Sequence, residues 1–400
     1  MKFTFLDGAT GTNLMKSGLP QGVCVEKWVS ENPDVLISLQ KEYVDAGSDI
    51  IYASTFGANP ISLSKYSLED ETETLNAKLV SISKIASNGK AKVAGDISST
   101  GCLLAPLGDA TYDDIKNAYM RQARALDKAG VDLFVLETFS SLAECLAAFD
   151  GVRAVSDKKI IASVTVEPSG KTLCGDSPES CLIALTARGA YAFGVNCSSG
   201  VESMAKIVKK LYPISSVPII SKPNAGLPVL VNGENVFPDS SAVFAEKYEE
   251  LAKAGASFIG GCCGTTPSHI KELYEKFSSR EPLSVASSGM YAASNKEVFL
   301  IDKIDDIPER TPCDEDLIFS IPEKDEASFF RLYIEKEEEL ENFIESMSSI
   351  ETPLILGASS VSLFEKAVAL YAGRCIYDRE CDFEDSQVEN LRKKYGFIVL

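Results

Sequence analysis

The sequence predicts an α/β protein: a (β/α)8 TIM barrel followed by a small C-terminal α/β extension. Three observations carry that expectation. Eight short apolar, β-rich runs recur through the first 280 residues, with stretches of helical apolar spacing between them. Glycine stands just past several of these stretches, in DAGSDI, KAGVDL and KAGASF, where a helix would stop before the next strand. Polar, glycine-rich clusters follow seven of the eight runs, as turns at the C-terminal face of such a barrel would, and active sites of this fold lie on that face. A doubly wound open sheet is the alternative reading of the alternation, but such sheets rarely hold eight consecutive parallel units.

The predicted strands are Phe3–Asp7, Asp49–Ala53, Lys92–Asp96, Asp132–Glu137, Ile160–Val166, Ala192–Asn196, Val217–Lys222 and Ser257–Gly260. Helical spacing predicts helices over Pro33–Ala46, Glu71–Ser87, Tyr112–Ala129, Leu142–Val155 and Ser240–Ala254. The strand-end clusters read DGATGT, STFGANP, GDISSTG, ETFSS, NCSSG, KPNAG and GGCCGTTP. After the fifth run, VEPSGKTLCGDSPES reads as a longer polar loop on the rim.

The chain divides by composition into a barrel over 1–280, a linker over 281–317 and an acidic α/β extension over 318–400. The linker is rich in Ser, Pro, Asp and Ala. The extension opens with a Glu-dense helix over about Lys324–Ser348. It continues with a strand in TPLILGA, a helix over Leu363–Ala372, a strand in RCIYD, a helix over Glu384–Tyr395 and a final strand, GFIVL. A terminal apolar strand must be paired or covered. The extension is therefore expected to dock on the barrel or on another chain, which would make it a route to a homo-oligomer.

Charge and cysteine usage exclude several classes. The net charge is −19, and residues 291–400 carry 12 Lys+Arg against 25 Asp+Glu, a net of −13. A nucleic-acid surface needs clustered Lys and Arg, so nucleic acid is not an expected partner. No run approaches the roughly 20 apolar residues of a membrane helix. The start, MKFTFLDGATGT, lacks the apolar core and cleavage site of a secretory signal, so the cytoplasm is the expected compartment. Eleven cysteines without regular spacing do not form a disulfide framework.

Three of those cysteines stand apart. Cys197 ends the sixth run, in AFGVNCSSG, and the adjacent Cys262 and Cys263 follow the eighth, in SFIGGCCGTTP. In a parallel barrel the three thiols would converge at the mouth. Three thiolates with one open position suit a zinc site that takes a further ligand. Three buried thiols at strand ends are the alternative that spacing alone leaves open. Gly8 and Gly11 in DGATGT let a ligand approach the backbone, whose exposed N–H groups can hold a carboxylate. Glu137 closes an apolar strand, where it can bind an ammonium group or form a rim salt bridge. Asp96 and Asn224, also at strand ends, are candidates to tune the site. His269, the single histidine, is expected at the surface of a helix start, so histidine-based catalysis is not expected.

The motifs DGATGT, TFGAN, GDISSTG, ETFSSLAE, GVNCS, KPNAG and GGCCGTTPSHI occur in the order seen in the homocysteine S-methyltransferase family. Residues 1–280 resemble that family, and within it the homocysteine module of cobalamin-dependent methionine synthase. The resemblance implies a zinc site of Cys197, Cys262 and Cys263. It also implies a homocysteine grip made by the turn Asp7, Gly8, Ala9 and Thr10 with Glu137, and methyl transfer to the homocysteine thiol to give methionine. The tail weakly resembles a middle part of the folate-binding barrel of methionine synthase, but the start of that barrel and a DxHxxG cobalamin signature have no counterpart. The implied methyl donor is methylcobalamin on a separate corrinoid protein, or S-methylmethionine or a related compound. A non-catalytic homocysteine- and zinc-binding subunit of a larger assembly is the rival expectation.

Overall fold

Eight parallel strands form one sheet: Thr4–Phe5, Ile50–Tyr52, Lys92–Ile97, Leu133–Phe139, Ile160–Val164, Ala192–Asn196, Ile219–Lys222 and Ala256–Ile259. The computed structural model describes residues 2–231, 234–286, 289–302, 307–323 and 327–400. The second to eighth strands each pair with their neighbours in sequence, and the first pairs with the eighth. The remaining seam closes through Asp49 N–H, which donates to Phe5 O at 2.7 Å, and through a parallel bridge from Leu6 to Ile50. The sheet is thus the expected closed barrel, and the open-sheet alternative is overturned by that seam.

Two apolar layers follow from the period of two along each strand. Leu6, Ile50, Tyr52, Ala94, Val135, Ile161, Ile220 and Phe258 are buried together in one cluster. Val93, Phe134, Leu136, Ile160, Phe193 and Ile219 belong to a larger cluster shared with the surrounding helices. The helices begin on side-chain caps, with Thr111, Ser141, Ser177 and Ser240 each accepting from a backbone N–H in the first turn. Gly130 and Gly255 end two of them in left-handed conformations. At Gly255 a Cβ would lie 2.3 Å from the Tyr212 ring, so glycine is required there.

The tail builds a four-stranded parallel sheet of Thr311–Pro312, Phe330–Ile334, Leu354–Ala358 and Ile376–Tyr377. Leu332, Leu356, Phe343, Phe364 and Phe397 form its core. The expected helix over Lys324–Ser348 is corrected. Residues 324–326 lie outside the described residues, Phe330–Ile334 is a strand, and the helix runs only over Glu339–Ser346. The apolar and aromatic FRLYI run decides its first half, where both sheet neighbours bury it. Within the segment expected as a linker, Tyr291–Ala293 and Val298–Leu300 form a hairpin. Ala293 exchanges both backbone hydrogen bonds with Arg374, a partner too distant in sequence for local composition to reveal. The terminal GFIVL run is covered: Phe397 and Ile398 are buried, and Ile398 bridges to Ile376.

The tail docks on the barrel's flank. Arg188, just past the barrel helix Pro178–Ala187, is the main joint. Its Nη1 donates to Asp150 Oδ2 at 2.6 Å, and its Nη2 donates to Val368 O and Ala369 O at 3.2 and 3.3 Å. Those carbonyls lie at the C-terminal end of the tail helix Val361–Leu370, where a cation is favoured. Among the described residues, no helix is long and apolar enough to cross a membrane.

The two side chains of the Arg188–Asp150 pair are 1% and 4% exposed. Arg188→Ala would leave Asp150 buried without its cation, and is expected to cost about 3–5 kcal/mol in chemical denaturation. Lys253→Ala, on an exposed helix face, is expected to stay within about 0.5 kcal/mol.

Candidate active site and metal centre

The ends of strands six, seven and eight are neighbours, and they hold the three cysteines. Cys197 follows strand six, and its N–H donates to Lys222 O at 3.1 Å. Cys262 follows strand eight through Gly260 and Gly261, and its N–H donates to Pro223 O at 2.8 Å. Both arms thus lean on the end of strand seven. Thr265 locks the second arm, its Oγ1 donating to Cys262 O at 2.7 Å. The three Sγ atoms all lie within 4.8 Å of one another, with Cys197 and Cys263 3.5 Å apart. Zinc–sulfur bonds of about 2.3 Å in a tetrahedral site require sulfurs about 3.8 Å apart, so the cluster fits that ion.

Two residues here hold strained backbone. Cys197 and Thr138 have φ of 58° and 61°, in the left-handed region, and for a β-branched residue such as Thr138 that is a true outlier. Asn196 holds Thr138 in place. Its Oδ1 accepts from Thr138 N at 3.0 Å and from Ser163 Oγ at 2.8 Å, and its Nδ2 donates to Thr138 Oγ1 at 2.7 Å. Such strain costs about 1–3 kcal/mol per residue and persists only where surrounding contacts impose it. Here it lies next to Glu137 and at a cysteine of the cluster.

Glu137, within strand four, has a side chain 12% exposed. Its Oε2 lies 3.7 Å from Lys222 Nζ and has no hydrogen-bond partner. Burial pushes its pKa up to about 7. Asp96 is buried, its Oδ1 has no partner, and burial together with the Glu137 charge holds its carboxyl well above the usual range. Buried carboxyls placed in this way favour a protonated Asp96 over two full charges.

Two groups of the Asp7–Thr10 turn are already engaged within the protein, and the expected surface placement of His269 is corrected. Asp7 does not present a free carboxylate: its Oδ2 accepts Tyr52 N–H at 2.7 Å and its Oδ1 accepts Lys222 Nζ at 3.0 Å. The Ala9 N–H is not exposed, because it donates to Thr265 Oγ1 at 3.1 Å. His269 is buried, forming a capping box with Thr266 and placing Nε2 3.1 Å from Asp239 O. The Phe244 ring packs edge-on against that histidine, with centroids 5.3 Å apart. Gly8 sits where a Cβ would meet Tyr43 Oη at 2.7 Å and Thr265 Oγ1 at 2.8 Å. Thr10 is partly exposed at the start of the short helix Gly11–Lys16. Asn224 supports the cysteine loop, its Nδ2 donating to Cys197 O at 2.9 Å.

Lys222 is the residue that sequence reasoning missed. It closes strand seven, with a side chain 4% exposed and its Nζ 3.7 Å from the centre of the Tyr52 ring. Burial opposes its charge, yet Asp7, Tyr52 and Glu137 hold its pKa well above the usual lysine value. The available signal was a lysine ending the otherwise apolar run PIIS, directly before Pro223.

Comparison with known proteins agrees with this geometry. Residues 4–277 match the model of the family described as homocysteine S-methyltransferase. A methionine synthase of Mycobacterium tuberculosis is 32% identical over 286 residues, which is 67% of this chain and 24% of that protein. One from Mycobacterium leprae is 32% identical over 285 residues. The chain thus spans about a quarter of the length of these relatives. The homocysteine methyltransferase MmuM of Escherichia coli, in structures of oxidised and metallated forms, shares the fold. It has a TM-score of 0.59 and 23% identity, covering 69% of this chain and 96% of that one.

The cluster also sets an order of thiol reactivity in metal-free protein. Hydrogen bonds from Cys197 and Cys262 hold the Cys263 thiol well below the ordinary thiol range, while Cys262 and Cys263 push Cys197 well up. Burial raises Cys145 and Cys181 well above the ordinary thiol range. Brief iodoacetamide treatment at pH 6 is therefore expected to label Cys263 first in peptide mass spectrometry, with Cys145 and Cys181 unlabelled.

Proposed function

The chain belongs to the homocysteine S-methyltransferase family, and from that premise we propose that it transfers a methyl group to the thiol of homocysteine, giving methionine, at a zinc site of Cys197, Cys262 and Cys263. The observation that carries this reading is the convergence of those three sulfurs at one end of a closed barrel that also holds the partly exposed Glu137 side chain. Zinc bound there would supply Lewis acidity, lowering the pKa of an entering thiol that at about 8.5 is otherwise mostly protonated.

The chain's own groups orient the substrate. Glu137, at the end of an apolar strand, accepts the ammonium group of homocysteine in a charge-assisted hydrogen bond. The turn around Gly8 and Thr10, fixed by the tight fit of Gly8 against Tyr43 and Thr265, receives the carboxylate end. Asp96, kept neutral by burial, limits the negative charge beside Glu137. Asn224 holds the Cys197 carbonyl, so the sulfur keeps its direction. A substrate anchored at both ends presents its sulfur in line with an activated methyl group, and this pre-arrangement supplies much of the acceleration. The donor we favour is methylcobalamin carried on a corrinoid unit, as the resemblance of residues 1–280 to the homocysteine module of cobalamin-dependent methionine synthase implies. S-methylmethionine is the second reading. Residues 318–400 then serve as an accessory unit rather than a second active site. A panel of donors with homocysteine, read as methionine formed, tests the reading and separates the donors.

Purified protein is expected to hold about one zinc per chain. Cys262→Ala should lose most of the zinc and nearly all activity, while Cys145→Ala and Cys181→Ala keep their zinc. A zinc-free Cys262→Ala protein with full activity would sink the mechanism.

Glu137→Gln is expected to weaken homocysteine binding by roughly ten- to a hundredfold at unchanged zinc content, the loss of about 1.5–3 kcal/mol of charge-assisted hydrogen bond. Because the carboxyl titrates at about 7, it is ionised above that pH and protonated below. Release of the thiol proton on zinc makes affinity rise with pH in both proteins, and ionisation of Glu137 adds up to about tenfold per unit below pH 7 in the wild type alone. Calorimetric titrations at pH 6, 7 and 8 show whether the wild-type slope exceeds that of the variant below pH 7.

A further inference from the structure

Lys222 is buried between two carboxylates that it does not treat alike. Its Nζ is 3.0 Å from Asp7 Oδ1, a hydrogen-bonded ion pair, and 3.7 Å from Glu137 Oε2, which makes no hydrogen bond. Asp7 is fixed from its other side by Tyr52 N–H at 2.7 Å. The Tyr52 ring faces the same ammonium at 3.7 Å. The lysine is thus drawn towards strands one and two and away from strand four. A buried ammonium with a single neighbouring carboxylate would close onto it, because desolvation makes any unpaired charge costly. Without Asp7, Glu137 would be that carboxylate.

Resting on the functional reading above, we propose that Asp7 is a positioning residue that holds Lys222 off Glu137, and so leaves the Glu137 carboxylate open for the ammonium group of homocysteine. Asp7 then acts through Lys222 rather than by touching the substrate. The observations fit no simpler arrangement. Both Asp7 oxygens are engaged inside the protein and its side chain is 1% exposed, so burial keeps it from a ligand. Glu137 is the partly exposed member of the pair, with an oxygen lacking any hydrogen bond. The Lys222 carbonyl meanwhile accepts the Cys197 N–H, so the backbone of the same residue cannot shift without moving a cysteine of the cluster. Selection between the two carboxylates therefore falls to the side chain alone. Asparagine at position 7 would keep an acceptor for Tyr52 N–H but lose the charge, and Lys222 would turn to Glu137 and compete with the substrate ammonium.

The test is steady-state kinetics of the zinc-loaded full chain with homocysteine as varied substrate. Asp7→Asn is expected to raise the homocysteine KM at least tenfold, with kcat changed far less and zinc content unchanged. Asp7→Asn/Lys222→Met is expected to recover most of that KM loss, because the competing cation is gone. A purely structural role predicts the reverse, with the double variant at least as impaired as the single one. An unchanged KM in Asp7→Asn, or a double variant no better than the single, overturns the proposal. If the variants do not fold, a crystal structure of the wild-type protein with homocysteine decides: Lys222 on Asp7 with Glu137 on the ammonium supports it, and Lys222 on Glu137 overturns it. Failure of wild-type protein to bind homocysteine in calorimetry would sink the functional reading and this inference together. Wild-type binding with a KM indifferent to Asp7→Asn sinks this inference alone.

Discussion

The end of strand seven is the point on which the site depends. Strands six and eight both pair with it, and the backbone carbonyls of Lys222 and Pro223 receive the N–H groups of Cys197 and Cys262. Those two hydrogen bonds place sulfurs 65 and 66 residues apart in sequence into one cluster. The Lys222 amine reaches the other side of the barrel, to Asp7 after strand one and towards Glu137 in strand four. One residue therefore ties the cluster to the groups around which an amino acid would lie. This follows from barrel closure: without the seam between Phe5 and Asp49 the strand ends would not form a ring.

The strain at Cys197 and Thr138 fits the same picture. Both positions interrupt a strand as it reaches the face where the turns begin, and both are imposed by neighbours rather than by local preference. Asn196 holds Thr138, and Asn224 with Lys222 holds Cys197. A site built in this way has little room to relax, which suits a reaction whose barrier is lowered by placing one sulfur accurately. The tail takes no part in these contacts. It is joined to the flank of the barrel through Arg188, whose guanidinium spans an acid of one unit and helix-end carbonyls of the other.

The eight strands, most of the flanking helices and the grouping of the three cysteines were legible because they depend on local periodicity and on turns at fixed places in it. Strand six, Ala192–Asn196, and the helix Tyr112–Ala129 coincide with their expected bounds. What was hidden is long-range. Lys222 reads locally as a strand terminus, and only the closed ring shows that its amine is buried against Asp7 and Glu137. The Asp7 and Ala9 groups looked available because their partners, Tyr52, Lys222 and Thr265, come from distant segments. In the tail, Glu-rich composition suggested a continuous helix, whereas sheet pairing on both sides of Phe330–Ile334 decided that segment. His269 was misplaced for the same reason: its burial depends on Asp239, thirty residues earlier.

The central claim is that three cysteine sulfurs hold a zinc ion with room for the sulfur of homocysteine. Zinc-edge X-ray absorption on the loaded protein, without and with homocysteine, measures this directly. The account predicts three sulfur neighbours at about 2.3 Å in the free protein, rising to four when homocysteine is added. A sulfur count below three, or one that homocysteine leaves unchanged while it binds, would contradict it.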